Sequence, residues 1–457
     1  MADKARIVRR SLIAAGTVGL LAVGGTVASA SDRALTDNSA AAAAAINGGT
    51  ARNVILLIGD GMGDSEITSA RNYQLGASGR LWMDRLPLTG AYTTYAVQKG
   101  STTAPEYVTD SAASGTGWAT GSKTYNGAIS VDTFGTPLPS ILEKARDAGY
   151  ATGSVTTAEL QDATPAVLGS HVTDRSCKGP NTVSTTCPGN AKENGGAGSI
   201  AEQLVQSGTD VMLGGGMTSF AQTVKAGQFQ GQTVIQQAQA SGYTIATDTS
   251  SMLTADNSKK LLGVFAGGNM DLEWTGPTPT PTGTTPQRCA TNAKRSSSQP
   301  HLGEMARVAL ERLNNKTQGK DKGFFLQIEG ASIDKQDHAA NPCGQIGELV
   351  EFDDAVRQAL QYQQQNPNTL VVVTADHGHT SQIVEAGTIT PGVTATLITQ
   401  DQQPMTISYA TATYPSSQEH TGTQVRIAAV GPQAANVLGV TDQTDLNFTM
   451  RRALSVN

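Results

Sequence analysis

Positive charge is scarce in this 457-residue sequence: 32 Lys and Arg stand against 38 Asp and Glu, for a net charge of −6. An acidic chain is a poor partner for nucleic acid, which needs basic surface for phosphate-backbone contacts. Cysteine is scarce too. Only four are present, none in a C-x-x-C pair, and this argues against a cysteine-held metal. No G-x-S-x-G elbow occurs, so the usual support for a Ser–His–Asp hydrolase is missing. No internal repeat is visible.

The one long apolar stretch, residues 12–27, follows Lys4, Arg6, Arg9 and Arg10 and ends at Ala28-Ser29-Ala30, an A-x-A cleavage pattern. Gly16, Gly19, Gly24 and Gly25 interrupt it, so a cleaved export signal over 1–30 is favoured over a membrane anchor. The Arg9-Arg10 pair leaves the export route open. Removing this segment, which carries a net +3, leaves a mature chain near −9. An exported protein with four cysteines is expected to hold two disulfides. Of three pairings, proximity favours Cys177–Cys187 with Cys289–Cys343. Residues 31–50, with alanines from Ala40 to Ala45, read as a mobile mature terminus.

What is abundant is the apolar run that ends in a carboxylate. Val54 to Ile58 leads through Gly59 to Asp60, Phe324 to Ile328 leads to Glu329, and Leu370 to Ala375 leads to Asp376. Such runs suit strands buried on both faces of a parallel sheet. Ligands gather outside the carboxyl ends of those strands. Three acidic ends repel one another there unless cations lie between them, so the pattern points to a multi-metal site.

Candidate strands lie at 53–58, 150–156, 209–213, 261–266, 323–328, 369–374 and 424–430. Candidate helices include 138–148, 199–207, 300–313 and 346–364. Strands separated by helices predict an α/β fold, a central and mostly parallel β-sheet flanked by helices on both faces. Residues 275–299, rich in Thr, Pro, Gly and Ser, read as a surface loop tethered by Cys289. Residues 381–415 read as an insertion at the sheet edge that carries the site.

Several segments carry metal-ligand chemistry. A helix after Gly330 would set Asp334 and His338 four apart on one face, near enough to grip one ion, and carboxylate with imidazole suits Zn²⁺. Asp376 and His377 can share an ion only where their strand has ended, and Gly378 supplies the break. Glu419-His420-Thr421-Gly422 offers another imidazole. In Asp110-Ser111-Ala112-Ala113-Ser114 the aspartate is a good N-cap, which puts Ser111 in the first helical turn, where backbone amides favour an anion. Metal coordination would activate its hydroxyl. Each segment alone also has a plain structural reading: a surface pair, a strand cap, a helix cap.

Together the segments resemble bacterial alkaline phosphatase. Those that carry the likeness are Gly59 to Gly63, Asp110 to Ser114, Thr157 to Pro165, His171 to Arg175, Ile328 to His338, Thr374 to His377 and Glu419 to Gly422, in the family's order and across nearly the whole mature chain. The resemblance implies a phosphomonoesterase with two Zn²⁺ and one Mg²⁺ per subunit, acting as a homodimer. Ser111 then matches the nucleophile that becomes a phosphoserine. Asp334, His338 and His420 match the first zinc site. Asp60, Asp376 and His377 match the second, with Asp60 bridging to magnesium. Thr164 and Glu329 match direct magnesium ligands, and Asp162 one that acts through water. Arg175 matches the phosphoryl clamp, oriented by Asp110, and Lys335 reaches the phosphate through water. His379 is expected behind the zincs, and His171 and His301 are expected to be structural. Residues 51–457 form the catalytic domain on this reading, and 381–415 correspond to a small crown.

The same resemblance makes the site electropositive although the chain is acidic. The three cations with Arg175 and Lys335 outweigh six carboxylates by two charges, enough to draw in a phosphomonoester dianion. Other members of the superfamily are the rivals. A sulfatase should carry Cys/Ser-x-Pro-x-Arg, which Ser111-Ala112-Ala113 lacks; a phosphodiesterase typically uses Thr and lacks the magnesium set; a phosphoglycerate mutase is the third. A non-catalytic exported metal- or phosphate-binding protein is the rival from another class. The address implied is periplasmic or extracellular.

Overall fold

The structure, a computed structural model, describes residues 37–457. The export-signal segment therefore lies outside the described residues. The main strands and the insertion strands are β1 (Asn53–Gly59), β2 (Leu88–Thr93), β3 (Ala151–Glu159), β4 (Val211–Gly215), β5 (Tyr243–Ala246), β6 (Lys260–Val264), β7 (Phe324–Gly330), β8 (Thr369–Ala375), β9 (Ser381–Val384), β10 (Val393–Ile398), β11 (Pro404–Tyr409), β12 (Val425–Val430) and β13 (Gly439–Asp442). The helices used below are α1 (Ser39–Ala45), α2 (Asp64–Leu75), α3 (Ser111–Thr120), α4 (Ile141–Asp147), α5 (Ile200–Gln206), α6 (Leu302–Thr317), α7 (Ser332–His338), α8 (Pro342–Gln365) and α9 (Gln443–Leu454).

Ten strands make one sheet in the order β13-β2-β12-β8-β1-β7-β3-β4-β6-β5. Only β12 runs against its neighbours, pairing antiparallel with both β8 and β2. The rest of the sheet is parallel, as the Val/Ile/Leu runs predict. Every residue of β1, β7 and β8 is buried, which requires cover on both faces. Helices α6 and α8 supply one layer, and α3, α4 and α9 the other.

All seven candidate strands are present, shifted by at most three residues at their ends. Helix α4 starts at Ile141 rather than 138 because Ser140 caps it, accepting from the Glu143 amide while the Glu143 carboxylate takes the Ser140 amide. The alanine run lies within the segment read as a mobile terminus. It forms α1, in keeping with the high helix propensity of alanine, and Ala42 and Ala45 rest against the core.

The insertion does not lengthen the main sheet. Its strands β9, β10 and β11 form a separate three-stranded antiparallel sheet in the order β9-β11-β10. The Thr/Pro-rich loop lies along the outer edge of that sheet, with bridges from Thr280 to Thr394 and from Gln287 to Leu397. Cys289 bonds Cys343, at the start of α8, and Cys177 bonds Cys187. No helix among the described residues is long and apolar enough to cross a membrane.

One buried acid ties the small sheet to the main body. Glu66, in the first turn of α2, is 1% exposed and accepts from the Ser381 amide at 3.1 Å and the Ser381 hydroxyl at 2.6 Å. Burial raises its pKa to about 7 against hydrogen bonds from Ser381 that favour the carboxylate. The folded chain therefore keeps a proton that the unfolded chain has released, and stability falls as pH rises from about 4.5 to 7. Glu66→Gln keeps an oxygen for Ser381 and removes the penalty. It should stabilise the protein by up to about 3 kcal/mol above pH 7 and by nothing below pH 4. Denaturant titrations of both proteins at pH 4 and pH 8 check this; an equal difference at both values contradicts it.

Candidate active site

The sheet register brings the acidic strand ends level. Ile58 on β1 lies opposite Glu329 on β7, and Gly59 opposite Ala375 on β8. Asp60, Glu329 and Asp376 thus emerge at one edge. The turn after Asp60 depends on Gly61, whose φ is +67° and whose absent Cβ would lie 3.0 Å from the Asp334 backbone. Its amide donates to Asp376 Oδ1 at 2.8 Å, and the His377 amide donates to the same oxygen at 2.9 Å.

Asp60, Asp376 and His377 form one buried cluster, with ligand-type atoms all within 4.8 Å of one another. His377 Nε2 is 3.5 Å from Asp60 Oδ1 and 3.1 Å from Asp376 Oδ2. Ser111 joins it as the first residue of α3, its Oγ 3.3 Å from His377 Nε2 and 3.5 Å from Asp60 Oδ1. Asp110 caps that helix by accepting from the Ala113 amide at 2.9 Å. The other nitrogen of His377, Nδ1, faces the Gly378 carbonyl at 3.2 Å and no carboxylate. A Ser–His–Asp triad is therefore not what this geometry builds.

A second cluster holds Asp334, His338, His379 and His420. Asp334 Oδ1 lies 3.5, 3.1 and 3.2 Å from the Nε2 atoms of His338, His379 and His420. His338 Nδ1 donates to the Gln418 carbonyl and His420 Nδ1 to the Thr109 carbonyl. That tautomer leaves two Nε2 lone pairs facing each other across 3.0 Å, an arrangement a cation between them would relieve. His379 differs. Its Nδ1 accepts from the Thr380 amide at 2.9 Å, so Nε2 carries the proton and turns it toward Asp334. His379 thus turns its Nε2 proton toward the aspartate at 3.1 Å without a formed hydrogen bond, and burial lowers its pKa to about 4. Gly378 lets the two histidine segments meet: it bridges Thr421, and a Cβ there would lie 2.5 Å from the Thr423 side chain.

The third assembly centres on Asp162. Burial works against its ionisation, but Lys335 and Arg175 hold its carboxyl well below the usual range. Arg175 donates to Asp162 Oδ1 at 3.0 Å and to Asp110 Oδ2 at 3.1 Å, while Lys335 donates to Asp162 Oδ2 at 2.8 Å. The two cations keep their charge despite burial because these carboxylates face them. Beside them, Glu329 receives a hydrogen bond from Thr156 on β3, and its pKa is pushed up to about 7, chiefly by burial. Asp60 is raised well above its ordinary value by burial and then by Asp334, Asp376 and Glu329.

Ser111, Arg175, Lys335, Asp334, His338 and His420 all open onto one cavity of about 500 Å³. The donor set around it fits metal ions. Among the described residues Thr164 Oγ1, Asp334 Oδ1 and Asp376 Oδ2 are buried without a hydrogen-bond partner, and buried carboxylates crowd together. Another cluster, Glu273, His301 and Glu351, shares no residue with these. There Arg295 already neutralises Glu273 at 2.9 Å and Glu351 accepts from the Gly303 amide near the start of α6, so it reads as an ion-paired cap. His171 is likewise satisfied, by Glu143 and the Ser130 carbonyl.

The sequence profile described as alkaline phosphatase matches residues 51–414 and 395–456. The chain belongs to the alkaline phosphatase family. It is 55% identical over 427 residues to alkaline phosphatase of Escherichia coli strain K12, covering 92% of this chain and 89% of that protein. Alkaline phosphatase H of Pseudomonas aeruginosa is 55% identical over 413 residues, covering 89% and 86%. Streptomycin-6-phosphate phosphatase of Streptomyces griseus is 52% identical over 412 residues, covering 89% and 91%. Among solved structures, a variant of the alkaline phosphatase TAB5 with magnesium at its M3 site is 26% identical, with a TM-score of 0.65 over 89% of this chain and 99% of that one. The Thermus thermophilus alkaline phosphatase, 23% identical, shares the fold with a TM-score of 0.68 over 93% and 96%. The family's activity is metal-dependent hydrolysis of phosphate monoesters, and the chain is an enzyme of this kind.

The structure gathers Asp60, Ser111, Asp376 and His377 in the first cluster, Asp334, His338 and His420 in the second, and Asp110, Asp162, Arg175 and Lys335 in the third with Glu329 beside it; His171 and His301 lie apart. Sequence reasoning missed the supporting groups: Thr156, which meets Glu329 only because β3 and β7 pair in register, and the Gln418 and Thr109 carbonyls, whose role carries no residue signature. The crowding of acids makes a prediction. Exhaustive chelation should lower the melting temperature, and more so at pH 8 than at pH 5.5, because Glu329, with its pKa near 7, loses its proton among the other carboxylates with no metal ion beside it. A melting curve unmoved by chelator at both pH values would contradict this.

Proposed function

We propose that Ser111 is the nucleophile of phosphomonoester hydrolysis through a covalent phosphoserine, with broad substrate range. The observation that carries this reading is the position of its Oγ, 3.3 Å from His377 Nε2 and 3.5 Å from Asp60 Oδ1, at a helix N-terminus in the cavity shared with Arg175 and Lys335. Arg175, held by Asp110 and Asp162, offers its guanidinium fork to two phosphoryl oxygens. Lys335 adds positive charge within the same cavity. Ser111 Oγ attacks phosphorus, the alcohol leaves, and water then cleaves the phosphoserine to inorganic phosphate. Nothing in the site reads the alcohol closely, and breadth follows.

Two Zn²⁺ and one Mg²⁺ per subunit are the cations we assign. Asp334, His338 and His420 would hold the first zinc and Asp60, Asp376 and His377 the second. Thr164 and Glu329, with Asp60 shared and Asp162 acting through water, would hold magnesium. When bound they supply Lewis-acid stabilisation of the phosphoryl oxygens and lower the pKa of coordinated hydroxyl groups. Asp162, with both oxygens engaged by Arg175 and Lys335, suits an outer role. We further assign 1–30 to export toward the periplasm or exterior, 51–457 to the catalytic domain and 381–415 to a crown. A homodimer is part of this reading; exposed Leu438, Val440 and Phe448 on and beside the edge strand β13 offer it an apolar surface.

A narrower range is the second reading. Glu419 lines the cavity with its carboxylate unpaired, and a relative is named for a phosphorylated aminoglycoside. A cationic alcohol would suit that carboxylate. Comparing kcat/KM for an aminoglycoside phosphate and p-nitrophenyl phosphate separates the two.

Ser111→Ala should abolish phosphoenzyme trapping and lower kcat by orders of magnitude; near-normal turnover would sink the assignment. Side-by-side assay of p-nitrophenyl phosphate, its bis-ester and p-nitrophenyl sulfate should show a strong preference for the monoester. After chelation, full recovery should need zinc and magnesium together.

A further inference from the structure

Behind the cavity a polar chain crosses the core. Trp118, on α3, donates its indole N–H to Gln327 Oε1 at 3.1 Å, and Gln327 Nε2 donates to the Thr164 carbonyl at 2.8 Å. Trp118 and Gln327 are fully buried, and Thr164 is 1% exposed. A long polar side chain in an apolar core costs stability unless its groups are satisfied. Here both ends of the amide are used, and both point at the machinery of the site.

The placement explains what the amide does. Gln327 and Glu329 are two apart on β7, so their side chains leave the same face of the sheet. Thr164 sits in a helix of only four residues, Ala163–Ala166. The Val167 and Leu168 amides, which a longer helix would bring to the Thr164 carbonyl, bond to Ala163 and Pro165 instead. Gln327 is thus the group that ties down this peptide. Thr164 Oγ1, on the same residue, is buried and has no hydrogen-bond partner. One strand therefore presents Glu329 directly and holds Thr164 in place through Gln327.

We infer that Gln327 is a positioning residue for the magnesium site: it fixes the Thr164 peptide so that the threonine hydroxyl and Glu329 face the same ion. The inference rests on the assignment of Thr164 and Glu329 to that site. Trp118 holds the far end of the amide and links it to the helix that begins at Ser111.

Calorimetric titration of zinc-loaded, magnesium-free protein with Mg²⁺ tests it, with zinc content as the control for an intact fold. Gln327→Met keeps volume and loses both hydrogen bonds, and should weaken Mg²⁺ binding about 10- to 100-fold with zinc content unchanged. The lost activity should return as Mg²⁺ is raised. Trp118→Phe keeps the bond from Gln327 to Thr164, and should bind Mg²⁺ within about threefold of the parent. Should Gln327→Met fail to fold, Gln327→Leu carries the same expectation. Parent-like Mg²⁺ affinity in the Gln327 variants, while Thr164→Val has lost it, overturns the inference. So does an equal loss in Trp118→Phe, which would assign the effect to core packing. Unchanged affinity in Thr164→Val would instead sink the underlying magnesium assignment.

Discussion

Mutual repulsion among buried carboxylates is the constraint on which this structure turns. Asp60, Asp334, Asp376 and Glu329 come from three strand ends and one helix, and each raises or reshapes the ionisation of another. An apolar core would not gather such groups without return. The rest of the site reads as compensation: imidazoles turned inward by carbonyls behind them, a guanidinium and an ammonium sharing Asp162, and donor atoms left open where cations fit. The sheet register is what makes the constraint unavoidable, since Ile58 cannot face Glu329 without delivering Asp60 and Asp376 to the same edge.

Asp162 shows how the two halves of the site are coupled. Its two oxygens bond one cation each, so the cavity-lining arginine and the lysine next to Asp334 share one carboxylate. Charge at that aspartate is fixed far below neutral pH. The arrangement makes the orientation of the proposed anion clamp depend on a residue that the metal assignment also uses. Binding and metal chemistry are therefore not separable by single substitutions at this point.

The central strands were legible because burial on both faces leaves continuous apolar runs, as in Val54 to Ile58 and Leu370 to Val373. Edge strands were not. Gly439–Asp442 and Tyr243–Ala246 are four residues each, partly exposed, and too short to show a period. The alanine run of α1 lacks the polar face that would mark it as packed, and only the contacts of Ala42 and Ala45 reveal it. In the site, ligand-type side chains could be named from local spacing and family likeness. What could not be named was whatever depends on pairing across the fold, such as Thr156 against Glu329, or on ring tautomer, as in the contrast of His379 with His338 and His420.

The lone reversed strand has a consequence for how this fold varies. Because β12 enters the sheet from the site edge, the chain leaves that edge after His379 and returns to it at His420. Everything between these two points is an excursion with both feet planted in the active centre. Such a loop is free to lengthen, shorten or exchange its small sheet without altering any spacing in the ten-stranded body. Architectural diversity and catalytic constancy can then coexist in one chain, with the small sheet rebuilt while the strand ends that carry the acids stay as they are.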